Sequence, residues 1–187
     1  IEQMKEDDYL VLAGSIPGSL PNDIYEKILG KIAGKGIHAV VDATGNLLRK
    51  TLCYHPFLIK PNRQELADLF GVTIESDAET VKYAQRLQDE GAENVLISMG
   101  GDGAILVDRD KNAYKLPAFR GTLKNSVGAG DSMVAGFLAG YEKEKNPETA
   151  FRLGSAAGSA TAFHEDLATK EQIEELYGSG AQEMERL

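Results

Sequence analysis

Short apolar, β-branched runs recur along the chain, alternating with longer segments whose apolar residues return every three or four positions, and brief Gly-, Pro- or Asn-bearing turns divide them. Tyr9 to Ala13 predicts a buried strand, and Pro21 to Ala33 a helix with its proline in the first turn and Ile24, Ile28, Leu29 and Ile32 on one face. A strand over Ala39 to Asp42, a short helix from Leu47 to Leu52 and a strand over Phe57 to Ile59 follow. The loop Lys60-Pro61-Asn62 then leads into a helix from Gln64 to Phe70. Ser76, with Glu79 three residues on, is a capping-box signature that opens a helix ending near Glu90. Strand Asn94 to Ser98 runs into a glycine cluster, and Gly103 to Val107 with Ala113 to Leu116 reads as a β-hairpin across the polar turn Asp108 to Asn112. Two helices rich in small residues complete the pattern, Gly130 to Tyr141 and Pro147 to Phe163, the second capped by Asn146.

Continuous rather than alternating apolarity in the first strands predicts burial on both faces, hence an α/β fold with a mostly parallel sheet between helical layers. In such sheets ligands sit beyond the carboxyl ends of the strands, where Gly14-Ser-Ile-Pro-Gly-Ser19, Asp42-Ala-Thr-Gly-Asn46 and Lys60 to Glu65 all fall. The chain of 187 residues suits one compact unit over 1–177, and 178–187 form a polar, glycine-punctuated tail that is flexible or strand-forming. Ile1 to Glu6 reads as the end of a helix already under way.

Composition narrows the partners. With 42% hydrophobic and 26% charged residues the chain is of ordinary globular type. Its 20 Lys and Arg against 29 Asp and Glu leave a net charge of -9, so nucleic acid is not an expected partner and any phosphate site must be local. Apolar runs are strand-sized, far below the roughly 20 residues of a membrane helix. The single Cys53 and the absence of a signal-like opening suit a cytoplasmic setting. His38, His55 and His164 share no metal-ligand spacing.

The strongest chemical signal is Asn125-Ser-Val-Gly-Ala-Gly-Asp131, a glycine-rich loop opening a helix. The backbone N–H groups of Gly128, Ala129 and Gly130 can converge on one point, where the helix end adds about half a positive charge. Such a point would stabilise a transferring phosphoryl group, and Asp131 could accept a proton from the attacking hydroxyl. Spacing alone equally allows a packing turn with an acid in a helix's first turn. Asn62 and Glu65, three apart at a strand-to-helix junction, can both face a cation, yet they also match a helix cap with an acid at its third position. Lys60 beside them could neutralise a phosphate or remain a solvated charge. Ser98, Gly100, Gly101 and Gly103 permit close approach of a flat base, or simply form a hairpin entry. Neither a P-loop nor a dinucleotide fingerprint is present.

Asn125 to Leu138 resembles the second signature of the PfkB (ribokinase-like) carbohydrate kinases over its whole length. Lys60 to Leu66 and Gly14 to Pro21 are similar to the 1-phosphofructokinase and tagatose-6-phosphate kinase branch of that family, and the likeness extends from about Tyr9 to about Tyr177. The resemblance implies a three-layer α/β/α fold, ATP and Mg2+ as cofactors, an anion hole at Gly128, Ala129 and Gly130, and Asp131 as base. It further implies magnesium organised by Asn62 and Glu65, and a nucleotide site lined by Lys60, Ser98, Gly100, Gly101, Gly103 and Gly130. The implied reaction is phosphorylation of a ketohexose phosphate, fructose 1-phosphate to fructose 1,6-bisphosphate, with tagatose 6-phosphate as the alternative acceptor. A non-catalytic nucleotide-binding fragment is the other reading. Whole members carry a further N-terminal region with the first glycine-rich signature, the lid strands and most sugar contacts, and they often dimerise through that lid. The chain is thus expected to be the C-terminal part of a kinase, and inactive alone, rather than a naturally short domain.

Overall fold

A computed structural model describes residues 1–179 and 183–187. They divide into two compact units, Ile1–Ile97 with Val107–Lys111, and Ser98–Leu106 with Asn112–Leu187. The tail expected over 178–187 is described only in part, since 180–182 lie outside the described residues.

In the first unit β1 (Tyr9–Ala13), β2 (His38–Asp42), β3 (Leu58–Ile59) and β4 (Asn94–Ser98), the last up to Ile97, follow one another in the sheet in chain order, all parallel. The register sets Tyr9 beside His38, Ala13 beside Asp42, Val41 beside Ile59 and Ile59 beside Val95. Between them run α1 (Ile24–Ile32), α2 (Gly45–Thr51), α3 (Arg63–Phe70) and α4 (Asp77–Asp89). Because strand order equals chain order, right-handed crossovers place these helices on one face of the strands. Leu29, Leu48, Leu66, Ala84 and Leu87 are buried with Val40, Val41, Leu58, Val95 and Leu96, forming the core of this unit. At the amino ends of the strands Tyr9 stacks on His38 at 5.1 Å and His38 meets Phe57 at 5.0 Å between ring centroids.

Local chemistry explains the helix starts. Ser76 accepts from Glu79 N–H while Glu79 accepts from Ser76 N–H, the capping box expected from the sequence. Gly71 ends α3 in the left-handed region.

The second unit holds β5 (Ala104–Val107) up to Leu106, β6 (Ala113–Leu116), the helices α5 (Ala129–Glu144), α6 (Pro147–Ala162) and α7 (Lys170–Gly178), and β7 (Glu185–Arg186). β5 neighbours β6, as the hairpin pattern predicts, and β7 adds antiparallel to β6, with Lys115 beside Glu185. Asn146 caps α6 by accepting from Glu148 and Thr149 N–H, with Pro147 at the first position. Two glycine pairs at i, i+4 spacing bring α5 and α6 into close contact. A Cβ on Gly136 would lie 2.8 Å from that of Ala157, and one on Gly154 2.7 Å from the Met133 carbonyl oxygen.

Three expectations change. β1 is not fully buried: it pairs with β2, and Val11 is 44% exposed. Ile1 to Glu6 forms turns rather than a helix end, because Asp8 accepts from Lys5 N–H at 2.7 Å and Asp7 takes a positive φ of 68°. α7 and β7 enter as elements of their own within a region for which no helix is predicted, and β7 realises the strand-forming option for the tail.

Candidate active site

Within the second unit, four separate pieces of chain surround a cavity of about 680 Å³, a size suited to a small-molecule ligand. The first is the turn after β4, with Ser98, Gly100, Gly101 and Gly103 on the wall. This turn is tight: Met99 N–H donates to the Gly103 carbonyl at 2.9 Å, and Gly103 N–H to that of Gly100 at 3.1 Å. Gly103 has φ 90°, and a Cβ there would collide with the Leu116 carbonyl oxygen, so only glycine fits. The second piece is the stretch after β6, where Phe119 is buried and Arg120 brings a positive charge to the wall. The third is the start of α5, with Ala129, Gly130 and Met133, and the fourth is α6 with Ser155, Gly158 and Ser159.

The structure thus gathers Ser98, Gly100, Gly101, Gly103, Ala129 and Gly130 around one cavity, with α6 along a further wall. Phe119, Arg120, Met133 and Phe163 were not foreseen. Phe119 and Arg120 come from a segment without periodic pattern, Met133 and Phe163 from helices the pattern predicts, and only the fold makes the four neighbours.

Gly128, in the left-handed region at φ 78°, is the N-cap of α5. The preceding loop is held by its own asparagine: Asn125 accepts from Val127 N–H at 3.0 Å and donates through Nδ2 to the Glu165 carbonyl at 2.8 Å. Ala129 N–H is directed to the Ser126 carbonyl at 3.2 Å. Asp131 lies in the first turn of this 16-residue helix and is exposed, so its side chain faces solvent. A helix of this length presents its positive end at the loop.

In the first unit, the carboxyl ends of β2 and β3 bring Asp42 and Lys60 together, with Lys60 Nζ 3.2 Å from Asp42 Oδ2. Lys60 is buried, so it is not the solvated lysine that the sequence alone allowed. The paired carboxylate offsets the cost of removing its charge from water. Gly14 N–H donates to the Asp42 carbonyl at 2.9 Å, and the Tyr25 hydroxyl donates to the Ala13 carbonyl at 2.8 Å. Burial, with a smaller contribution from the Asp42 charge, raises the pKa of Tyr25 above its ordinary value.

Asn62 and Glu65 form a complete capping box at the start of α3: Glu65 N–H donates to Asn62 Oδ1 and Asn62 N–H to Glu65 Oε2, both at 2.8 Å. Both remain partly exposed. Among the described residues no group of three or more His, Cys, Asp or Glu is placed to hold a metal ion. The pair therefore offers one amide oxygen and one carboxylate, hard oxygen donors that suit a magnesium ion retaining most of its water. Among the described residues no helix is long and apolar enough to cross a membrane.

Known proteins resemble the chain throughout its length. It is 49% identical over 175 residues to the 1-phosphofructokinase of Bacillus subtilis, covering 94% of this chain and 57% of that protein. It is 37% identical to the D-tagatose-1-phosphate kinase of Bacillus licheniformis, covering 94% of this chain and 58% of that one. A crystal structure of phosphofructokinase-2 from Escherichia coli in complex with substrates and products superposes with a TM-score of 0.85 at 29% identity, over 95% of this chain and 59% of that one. The chain thus spans a little over half the length of these relatives. The model of the pfkB family carbohydrate kinases matches residues 2–173, and the chain belongs to that family.

Proposed function

We propose that the protein carrying this chain transfers the γ-phosphoryl group of ATP to a hydroxyl of a ketohexose phosphate, with fructose 1-phosphate as the first candidate acceptor. The observation that carries this reading is the cavity of the second unit, whose wall of Gly100, Gly101 and Gly103 is shared with Ala129 and Gly130 at the start of α5. The glycine turn would take a flat base, and the positive end of the helix would take a phosphate chain. Asp131 accepts the proton of the acceptor hydroxyl as its oxygen attacks phosphorus, and the amides of Gly128, Ala129 and Gly130 stabilise the charge on the equatorial oxygens. Ala129 N–H faces Ser126 at 3.2 Å in this state, so the hole needs that turn to loosen or the other two amides to suffice.

In the first unit, Asn62 and Glu65 are the candidates to hold magnesium and Lys60 the candidate to meet a nucleotide phosphate. Magnesium, when bound, would neutralise phosphate charge, and the capping box fixes the direction of the Glu65 carboxylate. Residues 1–177 are then the nucleotide-binding and catalytic-loop part of the enzyme.

The names of the relatives favour acceptors phosphorylated at carbon 1, so tagatose 1-phosphate is a better second candidate than tagatose 6-phosphate. The test is ATP-dependent phosphorylation of these three sugars by the protein at its full natural length, with and without magnesium. Turnover of fructose 1-phosphate that magnesium chelation abolishes is expected. ATP binding without phosphorylation of any of the three would leave a non-catalytic nucleotide-binding module as the better account.

A further inference from the structure

The glycine loop and Asp131 have to be held in place, and from within the loop the Asn125 side chain does part of this. Gly128 and Gly130 carry no side chains, and Asp131 is exposed. Further restraint comes from the end of α6 and the segment after it. Thr161, in the last turn of α6, is 1% exposed. Its hydroxyl donates to Ser132 Oγ at 2.8 Å and accepts from Ala168 N–H at 3.2 Å.

Each of those contacts leads back to the loop. Ser132 directly follows Asp131 in the first turns of α5. Ala168 anchors the segment that carries Leu167, whose Cδ2 would be 2.6 Å from a Cβ on Gly128, so that side chain covers the N-cap residue. The same segment presents the Glu165 carbonyl to Asn125 Nδ2 at 2.8 Å. Immediately before it, the Ala162 carbonyl receives Lys124 N–H at 2.9 Å and Asn125 N–H at 3.2 Å. One buried hydroxyl therefore ties down the helical end of the loop and the cover over its middle.

We propose that Thr161 is a positioning residue for phosphoryl transfer: its hydroxyl braces Ser132 against the 163–168 segment and so fixes the amides of residues 128–130 and the Asp131 carboxylate. The role rests on the kinase reading given above. Thr161 touches no reacting atom; it acts through Ser132 and Ala168. Geometry is where such a brace matters, because a displacement near 1 Å in a transfer site costs about a hundredfold in rate.

Thr161→Val keeps the β-branched shape and removes both hydrogen bonds, whereas Thr161→Ser keeps the hydroxyl. In the protein at its full natural length, Thr161→Val should lower kcat by about tenfold to a hundredfold while leaving the KM for ATP within about twofold. Thr161→Ser should restore most of the loss. Hydrogen exchange gives a readout that needs no turnover: the amides of 128–132 should exchange at least about tenfold faster in Thr161→Val and near the wild-type rate in Thr161→Ser. Should Thr161→Val fail to fold, Ser132→Ala removes the donor's partner alone and should show a weaker form of both effects. Wild-type exchange at 128–132 in Thr161→Val, or a loss of kcat that serine does not restore, overturns the brace. An inactive wild-type protein would instead overturn the kinase reading, and the exchange measurement would still decide whether Thr161 holds the loop.

Discussion

Gly154→Ala and Gly30→Ala are the same substitution in two helices, and the structure gives them opposite signs. Alanine in place of a helical glycine gains about 0.5–1 kcal/mol from reduced freedom of the unfolded chain. At Gly30, exposed in α1, the nearest atom to the new methyl is Tyr54 Cε1 at 3.8 Å, an ordinary contact, so the whole gain should appear. At Gly154 the methyl would lie 2.7 Å from the Met133 carbonyl oxygen and 3.1 Å from Phe137 N. These are backbone atoms of α5 and cannot rotate away. Because the backbone cannot yield, forcing the two helices apart costs about 2–3 kcal/mol, the upper part of the overpacking range; less a propensity gain of up to about 1 kcal/mol, this leaves a net loss of about 1–2 kcal/mol. A domain of this size shifts by about 2–4 °C per kcal/mol, so Tm should rise by about 1–4 °C for Gly30→Ala and fall by about 2–8 °C for Gly154→Ala. Gly136→Ala meets Gly154 itself, at 3.0 Å from its Cα, so the double variant of 136 and 154 should depart from additivity. Thermal unfolding followed by circular dichroism reads all four. A Gly154→Ala protein as stable as wild type would refute the claim that backbone contact between α5 and α6 sets these glycines.

Asp131→Asn should lower kcat by about 10²–10⁴-fold with ATP binding retained, measured by turnover and calorimetry; an active variant would remove the base. Asp42→Asn should destabilise the protein by about 1–3 kcal/mol, because Lys60 keeps a buried charge with its 3.2 Å partner neutralised, and adding Lys60→Met should recover much of that in urea titrations. Tyr25 links stability to alkaline pH. Its folded pKa is raised, so the neutral phenol is favoured in the native state; the contribution is intact below the unfolded value near 10 and is lost as pH rises through the folded one. Tyr25→Phe should remove that slope and cost about 1 kcal/mol at neutral pH through the lost bond to the Ala13 carbonyl.

Local signals carried most of the architecture. β4 at Asn94–Ser98 and β6 at Ala113–Leu116 match the apolar runs that predict them, and α6 begins at Pro147 where Asn146 and proline mark a start. α7 carries a start signal of its own: Thr169 and Gln172 form a capping box of the same kind as Ser76 with Glu79. β7 had none, since Glu185 and Arg186 are exposed polar residues made into a strand only by pairing with Lys115 and Tyr114. The apolar run of β1 was misleading because continuous apolarity reports what a strand can bury, not what covers it. In the candidate site the glycine loop and the turn at 98–103 were legible because backbone chemistry leaves glycine no substitute. Phe119 and Arg120 were not, since they sit outside any periodic pattern, and neither was Phe163 at the end of a predicted helix; all three reach the cavity through tertiary structure. Thr161 was invisible for the same reason: its importance lies in Ser132 and Ala168, 29 positions before it and seven after.

Asn62 and Glu65 show how one pair of residues can satisfy two readings at once. The capping box occupies Asn62 Oδ1 with one N–H and Glu65 Oε2 with another, which accounts for both residues without a metal. It also leaves the second carboxylate oxygen and further lone pairs available, in an orientation the helix has already fixed, so a cation would find ligands with little left to order. Glu65→Gln separates the two roles. Glutamine at the third helical position still closes a capping box, so helix α3 and Tm should hold within about 0.5 kcal/mol, whereas the negative charge is gone. If Glu65 positions magnesium, the concentration needed for half-maximal turnover should rise by about 10–100-fold, the range seen when residues around a metal are changed. An unchanged magnesium requirement together with unchanged Tm would reduce Glu65 to a cap and leave the cation to be organised by other groups.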